Sequence, residues 1–164
     1  MKNRNYLLLL FTLIVLIAAN GLIIQKEYLK ANSQVILLEL APVDPRSLIQ
    51  GDYMRLRYVI SREVEDTNIA RDGHIVVRLD KNNVAHYVRI YDPQTPLAQD
   101  ELLLRYRQRK YDVNIGPESF FFQEGHAKYY SNAHYGEIRV SNGGDVLLVG
   151  LRGDNFEQLG PPSP

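Results

Sequence analysis

The chain has 164 residues, with 19 basic side chains balanced by 19 acidic ones and no cysteine. Without cysteine, disulfides, thiolate metal sites and cysteine nucleophiles are excluded. The neutral total hides an asymmetry. The first thirty residues hold Lys2, Arg4, Lys26 and Lys30 against Glu27, a net +3, which leaves −3 on the rest. A mildly acidic domain does not neutralise phosphates, so nucleic acid is not expected as a partner.

From the N-terminus, residues 7–24 are apolar except for Thr12, Asn20 and Gly21. At helical rise, eighteen such residues reach roughly 27 Å, close to the hydrocarbon thickness of a bilayer. Lys2 and Arg4 precede the run and mixed charge follows it, so the positive-inside rule puts the N-terminus in the cytoplasm and the remainder outside. The expected organisation is a cytoplasmic N-terminus (1–6), a transmembrane anchor in membrane lipid (7–24), a polar stalk (25–33), a β-rich extracytoplasmic domain (34–160) and a frayed tail (161–164). A cleaved secretory signal is the alternative, with Ala19-Asn20-Gly21 as its exit, although the apolar run is long for such a core.

After the stalk the chain turns to short apolar runs rich in Val, Ile, Tyr and Phe, separated by Gly, Asn, Asp and Pro. That pattern predicts strands near residues 35–42, 53–60, 75–79, 85–91, 102–108, 120–123, 137–140 and 146–151, with a short helix around 126–133. Asp80-Lys81-Asn82-Asn83 and Asn142-Gly143-Gly144-Asp145 read as tight hairpin turns, because Asn and Gly accept positive φ. The expected fold class is mainly β: an antiparallel sandwich or open barrel with a short helix or two, preceded by one transmembrane helix.

Residues 41–58 carry the densest pattern. Asp44 suits an N-cap, Pro45 the first helical position and Gly51 a left-handed terminator, so residues 44–51 predict a clipped helical turn or two. In the strand expected next, Met54, Leu56, Tyr58 and Ile60 alternate with Tyr53, Arg55, Arg57 and Val59. Asp52 shares the apolar phase. A carboxylate directed inward needs donors or a cation, and Arg46 is the nearest cation in sequence. Asp52 then either braces the Gly51 turn or contacts a ligand or partner.

The octapeptide Gly51-Asp52-Tyr53-Met54-Arg55-Leu56-Arg57-Tyr58 resembles, without departure, the signature of the GDYXXLXY family of bacterial membrane-anchored proteins. Pro42-Val43-Asp44-Pro45-Arg46-Ser47, Phe120-Phe121-Phe122-Gln123-Glu124-Gly125 and the hairpin ending in residues 147–151 are similar to that family as well. The resemblance implies an exported domain of uncharacterised function, often encoded beside multi-pass membrane proteins, and supplies no catalytic residues. The candidate motif positions are therefore Asp44, Arg46, Gly51, Asp52, Tyr53, Leu56 and Tyr58.

Catalytic chemistry finds little to work with. Ser47 would need a lysine of depressed pKa, and Lys81, Lys110 and Lys128 all lie outside apolar strand contexts. His74, His86, His126 and His134 include no i, i+4 pair, and Glu124, His126, His134 and Glu137 read as solvated rather than metal-bound. No cofactor and no metal is expected. Arg105, Arg107 and Arg109 fall on one strand face which, with Arg55 and Arg57, is either a basic patch or a solvated outer face.

The leading expectation is a non-enzymatic interaction module at the cell inner membrane, single-pass, with its C-terminal domain in the periplasm or outside the cell. Its expected partner is a multi-pass membrane protein. The alternative is an envelope-directed hydrolase or small-ligand-binding domain with a pocket around Asp52.

Overall fold

The two hairpin turns show how local chemistry sets this fold. Asn83 adopts φ 61° and Gly144 φ +80°, the left-handed conformations their positions require. Asp80 Oδ1 accepts the backbone N–H of Asn82 at 2.8 Å and of Val84 at 2.9 Å, which closes the first turn. In the second, the Asp145 N–H donates to Ser141 Oγ at 3.1 Å. The computed structural model describes residues 10–21, 33–41, 49–50, 53–65, 69–109 and 112–162.

Contacts divide the chain into two units, Met1–Ser33 and Gln34–Pro164. In the first, residues 10–21 form helix α1. Leu10, Phe11, Leu13, Ile14, Leu16 and Ile17 are each more than half exposed along it. Among the described residues no helix is long and apolar enough to cross a membrane. Residues 7–9 and 22–24 of the expected anchor lie outside the described residues.

The second unit is mainly β, a half-barrel of antiparallel sheets with short helices. One sheet has the order β1 (Gln34–Glu39), β9 (Tyr135–Val140), β10 (Val146–Arg152). A second joins β2 (Ile49–Gln50), β3 (Tyr53–Arg55) and β8 (Ser119–Phe121). The third runs β5 (Ala85–Ile90), β4 (Asp72–Leu79), β6 (Glu101–Arg109), β7 (Asp112–Asn114). Its centre is β4, where Ile75, Val76 and Val77 are all fully buried, the uninterrupted β-branched run expected of a strand covered on both faces.

Backbone bonds tie the sheets together. Leu37 N–H donates to Asn83 O at 2.8 Å, and Arg105 N–H to Gly144 O at 2.9 Å, so each hairpin turn docks on a strand of another sheet. Ala41 N–H donates to Arg57 O at 2.8 Å beside an antiparallel bridge from Leu40 to Tyr58. The sheets enclose one apolar cluster, centred on Ile36, Leu38, Ile75, Leu104, Tyr106 and Ile138. Two edge strands are bulged. Val88 of β5 and Val149 of β10 are the unmatched residues, and both point outward.

Three expectations change. The strand over 53–60 stops at Arg55, and Val59–Glu65 forms helix α2. The alternating burial of Met54, Leu56 and Tyr58 holds, but Ile60 and Val64 are both buried, four residues apart on one helix face. The clipped helix over 44–51 gives way to strand β2 at its C-terminal end, while residues 42–48 lie outside the described residues. The helix around 126–133 is only a 3-10 turn, Ala127–Tyr129. The strand β7 is too short and polar, Asp-Val-Asn, for a pattern of alternation to reveal it.

Candidate functional site

Of the motif positions, Asp44, Arg46, Gly51 and Asp52 lie outside the described residues. The other three separate into two environments. Leu56 and Tyr58 are core residues, 6% and 3% exposed. The backbone carries them inward by alternation, and pairing fixes them there: Leu56 N–H donates to Glu118 O at 2.8 Å. Tyr58 Oη donates to Pro117 O at 3.0 Å, which satisfies a hydroxyl taken out of water. Burial alone pushes this phenol far above its ordinary value.

The Tyr58 ring lies between two glycines. A Cβ built on Gly116 or on Gly136 would meet the ring at 3.1 Å, tighter than ordinary van der Waals contact. Part of the motif is thus a packing device that locks the segment after β3 to the segment before β8 and to β9.

Tyr53 faces the other way. It sits opposite Phe121 in the β3–β8 register, their ring centroids 5.7 Å apart. Phe121 is 74% exposed, and Arg55 is exposed on the same side of β3. Behind this face, Phe120 packs edge-on against buried Tyr130 at 5.0 Å, and Phe122 stacks on the same ring at 5.5 Å. The apolar block at residues 120–122 therefore supplies two packing residues and one surface ring. Strand alternation within residues 120–122 could have told the one outward ring from the two inward ones.

Three of the five arginines of the expected patch are paired. Arg105, Arg107 and Arg57 are exposed but paired with Asp145, Asp72 and Asp112 at 3.5, 3.0 and 3.3 Å. For these three the positive charge is balanced within the chain, while Arg55 and Arg109 are also exposed. Glu101, whose side chain is 7% exposed, takes Arg89 at 3.0 Å and Arg78 at 3.5 Å, and also accepts the Ala98 N–H at 3.1 Å.

The histidines are dispersed. His134 Nδ1 lies 2.6 Å from Asp154 Oδ1, with Nε2 3.7 Å from Glu39. Glu137 is instead taken by Arg152, whose Nε donates to Oε2 at 2.8 Å, and His126 packs edge-on against Tyr129. Among the described residues no group of three histidine or carboxylate side chains is placed to hold a metal ion. The Asp154–His134–Glu39 contact was not foreseen, since its members come from three distant stretches of chain.

Comparison with known proteins finds a family for the chain. The family model described as GDYXXLXY protein matches residues 15–151. No curated protein and no solved structure matches the chain.

Proposed function

The chain belongs to the GDYXXLXY family, and on that premise we propose that it is a membrane-anchored, extracytoplasmic interaction module that binds an integral membrane partner. The observation that carries the reading is helix α1, whose large apolar side chains point outward on all sides. A helix apolar all round is stable only when something outside it covers it. The surrounding sequence extends the apolar run to residues 7–24, about the length a bilayer requires. Lys2 and Arg4 set its orientation, so that residues 34–164 work outside the cytoplasm at the inner membrane.

The second unit supports the binding half of the reading. Its described motif residues Leu56 and Tyr58 build core, and surface Arg57, Arg105 and Arg107 are taken by aspartates of the same chain. Exposed Phe121, with the Tyr53 ring beside it, offers a contact surface rather than a reacting group.

Membrane fractionation followed by in-cell crosslinking tests this. The expected outcome is a protein that resists alkaline carbonate extraction, with residues 34–164 open to external protease and crosslinked to a multi-pass membrane protein. Recovery as a lone monomer from mild detergent, with no crosslinked neighbour, overturns the reading.

A further inference from the structure

We infer that the outward face of the β3–β8 pair, formed by Tyr53, Arg55 and Phe121, rests in the headgroup layer of the bilayer. The inference rests on the anchoring proposed above and adds a second point of contact. Strand alternation places these residues together. Met54 is 1% exposed, and Phe120 packs on Tyr130, so their neighbours in both strands must face outward. Phe121 is 74% exposed, whereas the next most exposed large apolar side chain among the described residues of its unit, Leu97, is 40% exposed. A phenylalanine that open to water gains free energy from any apolar cover.

Three observations point to lipid as that cover. The face combines a phenol, a phenyl ring and a guanidinium, the residue set that settles where hydrocarbon meets phosphate. The rings enter the acyl boundary, and the polar tips stay with the headgroups. The register partners across it are Phe121 for Tyr53 and Ser119 for Arg55, so among the described residues of the pair no carboxylate stands opposite them to repel an anionic headgroup.

Charge complementarity is the second observation. Arg57, Arg105 and Arg107 are bound to aspartates of their own chain, but among the described residues no carboxylate pairs with Arg55. Reach is the third. The nine residues 25–33 that join the apolar run to β1 span at most about 30 Å when extended, which keeps the domain beside the bilayer. A protein partner would instead be expected to meet a pocket that seats an anchor residue, and here the ring pair projects.

The chain contains no tryptophan, so Phe121→Trp creates a single reporter at the centre of the face. The full chain is reconstituted into vesicles of equal parts phosphatidylcholine and phosphatidylglycerol, with acyl chains brominated close to the headgroup. Circular dichroism confirms the fold, and flotation confirms attachment. In the floating protein the Phe121→Trp emission is expected to fall roughly twofold, as for an interfacial ring. A control Val149→Trp chain keeps its emission, and adding Arg55→Glu to Phe121→Trp restores part of what was lost.

If the protein floats but the Phe121→Trp reporter is quenched no more than the Val149→Trp control, the lipid contact is overturned and the face belongs to a protein partner. If the protein does not float, the anchoring fails as well, and with it the inference.

Discussion

The Tyr58 hydroxyl is buried, donates to one carbonyl and sits on a ring held between two glycines. Tyr58→Phe keeps the ring and removes the donor, leaving the Pro117 carbonyl short of a partner. The expected cost is about 1 kcal/mol, read as a lower urea midpoint at unchanged slope. The pH response has a definite sign. Because burial raises the folded-state pKa above its ordinary 10.0, the stability tied to the neutral phenol is complete below that value and is lost as pH rises beyond it. The parent protein should therefore lose stability more steeply above about pH 10 than Tyr58→Phe does. Equal alkaline limbs in equilibrium unfolding at several pH values would show that the hydroxyl titrates freely.

Between β5 and β6 the chain makes a long excursion, residues 91–100, that leans on one side chain. Glu101 opens β6, binds Arg89 and Arg78, and accepts the Ala98 N–H, so a single carboxylate joins two strands to the end of the loop. Glu101→Gln preserves shape but leaves a half-buried guanidinium without its countercharge. It is expected to cost roughly 1–3 kcal/mol, with hydrogen exchange rising first over residues 91–100. Elements of this kind explain what could be read in advance. Each expected strand overlaps an observed one, although that over 53–60 extends only to Arg55: β9 buries alternate residues in period two, and β4 buries the continuous β-branched run Ile75, Val76 and Val77. Helix α2 could not be read, since Met54, Leu56, Tyr58 and Ile60 satisfy the strand period while Ile60 and Val64 satisfy the helical one. The tertiary fit decided between them. Burial of Leu56 and Tyr58 was legible for the same reason. The pairing of Tyr53 with Phe121 was not, because register between distant strands leaves no local trace.

At the scale of the whole second unit, three sheets share one core, and each is bonded to a neighbour through a turn or a bridge. Nothing cross-links them covalently, so cohesion comes from that common interior. Denaturant unfolding of the Gln34–Pro164 unit is expected as one transition, with near-ultraviolet tyrosine signals and far-ultraviolet signals coincident. Separate midpoints would mean that the sheets melt apart. The pairing of β1 with β9 carries a consequence in time. Leu37 lies opposite Glu137, a hundred positions later, so β1 has only its contact with the Asn83 turn to hold it until β9, its ladder partner, has been made. Closing so long a loop is slow, of the order of milliseconds to seconds for β-rich domains, and during synthesis the delay is that of translation itself. Until β9 arrives, Gly136 is missing from the socket of Tyr58 and the motif ring stays wet. The nascent domain thus passes through a window in which its most apolar stretches are open to chaperones and proteases, and the arrival of one strand ends it.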